Sequence, residues 1–495
     1  MPSSKSLIIC SLLSILGQFG GAALSAQTQA DSSEALPYKP RIEFVLNNTS
    51  SYELMPTDTV GWVLMQRQTA RQYQFAKYDR SLNVLWETAL QLPHDASFIG
   101  HSYHAPHLWL LYEDSWRRTK YCVRINTELG SLQVEALNLT RETSIEQWQA
   151  VDDGLYLLAS LRNQPLLIYL PEDNLGEAKL NHLEHKGNLQ VHTIQRDEQT
   201  GYLLLTAAYS YRVRETGLIF RAYQNGALRH EQTLVSDDEH HLLSGYWLFF
   251  PQLGKVILIG LYAQMPRGAA QGVFFAETNN PEQAPRFRYF HFDDFVQYFA
   301  NMPTKRYASM RKKIQQKRAK DKHLLYTLAT TMTRPQVSGN HLAVQMAFAR
   351  REQRRVPVSG TLSRSPLSLV YEWRFSHALI GIWHTQTGRL EAEANTPLGE
   401  AIYPELEAIA AWDFRGLESY TLYHNLNTYY WQHNLPEKSI IRKRPMDGNS
   451  VGEKAIALNY IKMHPLGAGT FLCWGEQQIR RGQDKKVFFV ELIQF

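Results

Sequence analysis

The chain has 495 residues, of which 44% are hydrophobic and 20% charged, ordinary proportions for a globular protein with a large core. Its 26 Tyr and 11 Trp favour half-buried pleated surfaces. A formal charge of +5 does not by itself indicate a nucleic-acid or membrane partner, and three cysteines are too few for a disulfide framework.

At the N-terminus, Lys5, the apolar run Leu7 to Leu16 and the small residues Gly21 to Ala26 read as a secretory signal over residues 1–26. The run is too short to cross a bilayer, and Cys10 lacks the small neighbour of a lipid-modified cysteine. A flexible segment, 27–40, is expected next, followed by one domain over 41–495, in a protein exported to the periplasm or beyond. Cleavage leaves Cys122 and Cys473, both in apolar strand-like runs and read as buried thiols, with a single disulfide left open.

From residue 61 onward, short runs rich in Leu, Ile, Val and aromatics recur between tight turns. The first unit has strands at Gly61–Met65, Tyr73–Tyr78 and Asn83–Leu90, turning at Asp79-Arg80-Ser81. The order returns with His107–Tyr112 and Tyr121–Ile125, with Gly154–Ser160 and Pro165–Leu170, and with Gly201–Ala208 and Gly217–Tyr223 before the hairpin signal Asn225-Gly226. It continues through Lys255–Tyr262 with Gly272–Ala276 and His341–Phe348 with His377–Trp383. Two weaker pairs follow, Tyr420–Tyr423 with Thr428–Trp431 and Gly469–Gly475 with Lys486–Leu492. A further strand precedes most pairs, as at Ala96–Tyr103, Ile145–Val151, Leu189–Ile194 and Leu242–Phe250. Most units span about 45 to 55 residues, the period of a propeller blade. The chain is therefore read as all-β, a β-propeller of seven or eight four-stranded blades. The last unit ends one strand short, and Arg41–Leu46 is expected to supply it.

Between the fifth and sixth units, residues 293–323 read as a helical insertion. Asp293–Phe299 suggests a helical turn, Asn301 a cap and Pro303 a first turn, and Thr304–Lys322 runs without Gly or Pro behind a narrow stripe of Tyr307, Met310 and Ile314. Residues 305–322 carry nine Lys or Arg against Asp321, a net +8, so the rest of a chain at +5 carries −3. Arg350, Arg351, Arg354 and Arg355 make a second basic cluster, read as part of a long loop between Phe348 and Val370.

The run Phe292 to Tyr326 and the strand Tyr371-Glu372-Trp373-Arg374-Phe375-Ser376-His377-Ala378 resemble a family of uncharacterised secreted β-propeller-like proteins of the Bacteroidota. The resemblance covers about residues 290–395. It implies export and a repeat-built β fold, and it carries no activity and no catalytic residues.

His101, His104 and His107 lie three apart, but that spacing converges on a metal only in a helix, and this segment reads as strand and turn. Asp152-Asp153, Asp237-Asp238 and Asp293-Asp294 read as turns or caps rather than paired catalytic acids, which come from distant positions. Most Trp residues read as blade packing, with Trp116 and Trp412 at loop ends suited to stacking on sugars. No nucleophile, phosphate-loop or metalloprotease motif appears in a fitting context, and no catalytic residue, metal or cofactor is assigned. The functional expectation is a non-enzymatic envelope binding or scaffold protein. It docks an acidic protein or anionic glycan through Lys312, Lys313, Lys317, Arg318, Arg350 and Arg351. Nucleic acid is not expected for an exported protein. The alternative is a glycan hydrolase or lyase with its site at the mouth of the propeller channel.

Overall fold

The structure is a computed structural model. It describes residues 41–494 apart from 47–50, 58–60, 115, 212–214, 238, 267, 280–283, 301, 321, 358–366, 404–409, 426–427, 437, 447–453, 468 and 482. The expected signal, 1–26, and the segment 27–40 lie outside the described residues.

Eight antiparallel sheets follow one another around a ring, and together they form a β-propeller. Blade 1 comprises Ser51–Pro56, Gly61–Arg67, Gln72–Asp79 and Val84–Gln91, from inside to outside. Blade 2 spans Ala96–His104 to Leu132–Leu137, blade 3 Ser144–Val151 to Lys179–His182, and blade 4 Asn188–Arg196 to Ala227–Val235. Blade 5 spans His241–Phe250 to Arg286–His291, blade 6 Ala329–Met332 to Leu390–Tyr403, and blade 7 Ala411–Arg415 to Ser439–Pro445. Blade 8 holds Lys454–Gly467, Thr470–Arg481 and Gln483–Gln494, and its outer strand is Arg41–Val45, from the far end of the chain.

The middle strands explain the ring. Gly154–Leu161 and Lys255–Ala263 are buried along nearly their whole length because each blade is covered on both faces by its neighbours. The outer strand Ser439–Pro445 instead alternates between exposed and half-buried side chains. Apolar clusters fill the seams. Val63, Met65 and Phe75 of blade 1 meet Leu108, Leu110 and Tyr112 of blade 2, and Trp62, Leu64 and Tyr78 of blade 1 meet Leu472, Phe488 and Val490 of blade 8. Hydrogen bonds between inner strands repeat the pattern. Trp148 Nε1 donates to the His101 carbonyl at 2.7 Å, Gln147 Nε2 to His192 at 3.0 Å and Gln195 Nε2 to Trp247 at 3.2 Å. The Tyr246 hydroxyl donates to Met332 at 3.2 Å, and Gln336 Nε2 to Trp412 at 3.2 Å. Lys462 Nζ reaches Glu53 at 2.6 Å, joining blade 8 to blade 1.

Closure follows the sequence expectation. Arg41 to Val45 pair antiparallel with Glu491 to Val487, and Leu46 N–H donates to the Lys486 carbonyl at 3.0 Å. Ile42 and Phe44 pack into the seam between blades 8 and 1. Cys122 and Cys473 are both buried and unpaired, in different seams. Blade 6 departs from the pattern. Its inner strand is split into Ala329–Met332 and Gln336–Ser338, both paired to His341–Pro357, and the gap holds Pro335, which has no N–H for the ladder. The expected loop after Phe348 is corrected to strand. His341–Pro357 and Leu367–His384 stay in register through Arg350↔Arg374 and Arg355↔Leu369 beyond a bulge at Phe348/Ala349.

Removing residues 1–46 is expected to lower the thermal unfolding midpoint and promote aggregation, because it bares the edge of Gln483–Gln494. Thermal unfolding with light scattering checks this; an unchanged midpoint without scattering contradicts it.

Candidate functional site

The insertion between blades 5 and 6 starts from an aromatic plug. After the outer strand of blade 5, two 3₁₀ turns, Phe292–Asp294 and Val296–Phe299, place Phe292, Phe295, Tyr298 and Phe299 in the core between blades 5 and 6. Tyr298 meets Phe348 edge-on at 4.9 Å and His377 at 5.1 Å. Blade 6 secures the turns: the Glu393 carboxylate accepts from Val296 N–H at 2.9 Å and Gln297 N–H at 3.1 Å, and Asn395 Nδ2 donates to the Gln297 carbonyl at 2.8 Å. Burial raises the Glu393 pKa, against these two backbone donors. On the way back, Gln271 of blade 5 makes a reciprocal pair with the backbone of Tyr326, 2.9 Å in each direction.

Between these anchors runs the helix Thr304–Arg318, α1. Ile314 is its buried side chain, with Tyr307 and Met310 partly buried against the same cluster, as the stripe predicts. The helix is four residues shorter than expected, because the chain past Ala319 turns back to bring His323 and Tyr326 to blade 5. Asn301, the expected cap, lies outside the described residues, and Pro303 occupies the N-cap.

The helix carries charge against its own stability. Its first turn holds no acid and includes Lys305 and Arg306 at the positive end of the helix dipole, and Lys313 and Lys317 are like charges one turn apart. Lys312, Lys313 and Lys317 are exposed and make no ion pair among the described residues. Arg318 is placed differently. Its Nη2 donates to the Asp293 carbonyl at 2.9 Å, to Asp293 Oδ1 at 3.1 Å and to Asp294 Oδ1 at 2.6 Å, so it fastens the end of the helix to the turn before it. Asp293 has a fully buried side chain. Burial pushes its pKa up, but His291 and Arg318 outweigh that and hold it well below the usual carboxylate range. His291 Nδ1 and His323 Nδ1 lie 3.1 and 3.3 Å from Asp293 Oδ1. Sequence reading missed this cluster, because its members are up to 32 residues apart on elements that only the fold brings together.

Arg350 and Arg351 are exposed on the blade 6 hairpin, with Arg351 6.0 Å from the centre of the Trp373 ring and Glu352 paired to Arg374 at 2.9 Å. In an antiparallel blade, the second-to-third-strand turn and the link to the next blade emerge on the same side, so this hairpin and α1 leave the ring on one face. Beside Asp294, an open groove of about 850 Å³ runs along the flank of blades 5 and 6, lined by Arg286, Arg288, Phe290 and Arg389.

Other candidates from the sequence are structural. His104 pairs with Asp152 at 3.0 Å, and Asp152 with Arg196 at 2.7 Å, tying blades 2, 3 and 4; His107 pairs with Glu172 at 2.9 Å. His101 has its pKa lowered to about 4 by desolvation, with Lys462 and His464 adding repulsion. The carboxylates with raised pKa have assigned work: Asp153 accepts from Asn225 N–H, Asp197 holds the Thr200 turn, and Glu491 pairs with Arg444 at 2.8 Å. Trp116 is 90% exposed, whereas Trp412 is corrected to a packing residue, buried against Phe414 in the seam between blades 6 and 7. Among the described residues, no helix is long and apolar enough to cross a membrane.

No family model and no curated protein matches the chain. Solved structures with similar folds include a polysaccharide lyase, Uly1 (11% identity, TM-score 0.41, 81% of this chain and 90% of that one). The dihydro-heme d1 dehydrogenase NirN is similar at 9% identity and TM-score 0.41, over 93% of this chain and 82% of that one. The WD40 domain of SCAP from fission yeast is similar at 9% identity and TM-score 0.37, over 92% and 98%. At these scores the likenesses carry no argument about activity.

Ile314→Ala is expected to weaken docking of α1 by about 2 kcal/mol. Amide exchange over 304–318 should accelerate while the propeller midpoint barely moves; unchanged exchange contradicts this. Burial lowers the His377 pKa to about 4 beside Phe348, from an ordinary value near 6.5. The unfolded chain therefore takes up a proton that the native site refuses, and stability falls between about pH 6.5 and 4. His377→Phe should flatten part of that decline in a midpoint-versus-pH series; an identical slope in both chains counts against this origin.

Proposed function

We propose that the protein is a non-enzymatic docking module that holds a polyanionic glycan on the basic face carried by α1. One observation carries this reading: α1 concentrates exposed, unpaired lysines at a cost to its own helical stability, yet is fixed to the ring at both ends and at Arg318. Charges that only solubilised a helix would be interspersed with acids. The exposed side of α1 offers lysines, Arg306, Arg311 and glutamines without the buried aromatic anchors of a protein interface, which suits a linear polyanion held by summed electrostatics. Arg350 and Arg351 on the same face extend the positive field. The resemblance to secreted propeller-like proteins and the N-terminal signal pattern support an envelope or extracellular setting, where such glycans occur.

The test titrates a sulfated polysaccharide and, separately, poly-glutamate into the mature chain at about 50 and 300 mM salt. The sulfated chain should bind at low salt and weaken with salt, and the K312E/K313E/K317E variant should bind at least about tenfold more weakly at an unchanged midpoint. No binding, or equal binding by the variant, overturns the reading; preference for poly-glutamate replaces the glycan with an acidic protein.

A further inference from the structure

We propose that His291, Asp293 and His323 form a site for a zinc-class divalent cation that pins the basic insertion to blade 5. Each residue offers a ligand atom, and these atoms all lie within 4.8 Å of one another. The donor set, two imidazole nitrogens and a carboxylate oxygen, is one that zinc accepts. Ligands about 2.0 to 2.1 Å from a tetrahedral centre stand about 3.3 Å apart, and the two nitrogens lie 3.1 and 3.3 Å from Asp293 Oδ1.

The hydrogen bonding of the cluster is incomplete in a way that a cation corrects. His291 and Asp293 are almost wholly buried, yet Asp293 Oδ2 has no hydrogen-bond partner, and neither has the hydroxyl of adjacent Tyr326. A carboxylate arranged for hydrogen bonding alone spreads donors over both oxygens. Here His291, His323 and Arg318 all crowd Oδ1. The rings of His291 and His323 lie face to face at 4.1 Å, and both Nδ1 atoms meet at Asp293 Oδ1. Arg318 can yield Oδ1, because the same nitrogen also holds Asp294 and the Asp293 carbonyl.

The arrangement has a structural purpose. His291 ends the outer strand of blade 5, whereas His323 follows α1, so a shared cation closes the loop that carries the helix. One side of the site is accessible, since the His323 side chain is 42% exposed.

The experiment uses the full mature chain, stripped with chelator and dialysed. Zinc is titrated in competition with a chromophoric indicator, and cobalt(II) is added separately to read the ligand field. One equivalent of zinc should bind, cobalt should give the intense visible bands of a four-coordinate nitrogen–oxygen site, and zinc should raise the unfolding midpoint. His323→Ala, at an exposed position, should match the native chain's midpoint in chelator but bind zinc at least about 100-fold more weakly, beyond the loss typical of an outer-shell change. No stoichiometric zinc binding, or equal binding by H323A, overturns the site. Glycan binding is measured on the same chains in chelator, so failure of the metal site is distinguishable from failure of the docking surface.

Discussion

A four-stranded sheet that is apolar on both faces has no stable existence alone in water, and every blade of this protein is such a sheet. Burying the eight pairs of faces requires a ring, and a ring built from one open chain needs a closing contact. Here the closure is double. The seam of Trp62, Leu64, Phe488 and Val490 buries the last pair of faces, and Arg41–Val45 completes blade 8 by covering the edge of Gln483–Gln494. Everything on the rim, including the basic insertion, inherits its position from that closure.

Much of this was legible in the sequence, because a propeller repeats a short-range signal. The middle strands announced themselves as continuous apolar runs, since both of their faces are buried, and Asn225-Gly226 and Asp79-Arg80-Ser81 marked turns that the structure contains. The inner strand of blade 1 was not recognised: Ser51–Pro56 is short, mixed in polarity and ends in proline. The blade 6 hairpin was misread as loop because its arginines interrupt the apolar pattern, although cross-strand partners such as Trp373 keep it extended.

Side-chain chemistry was less legible than fold. The exposed lysines of α1 were visible because a run of like charge needs no tertiary information. The role of Arg318 was not, since its acceptors belong to a turn 24 and 25 residues earlier. The cluster of His291, Asp293 and His323 was invisible for the same reason: its spacing along the chain matches no motif, and only the return of the chain from α1 to blade 5 assembles it. The adjacent acids Asp293 and Asp294 do act at a cap, but Asp293 has the further task of anchoring the helix that carries the charge.

The proposed docking function depends on where a polyanion meets the ring. The most direct measurement is hydrogen–deuterium exchange of the mature chain with and without a saturating sulfated polysaccharide. Protection confined to 304–318 and the blade 6 hairpin around Arg350 is the predicted result. Protection at the opposite rim, around His104, Asp152 and Arg196, with α1 unchanged, would contradict it and move the binding site to the mouth of the channel.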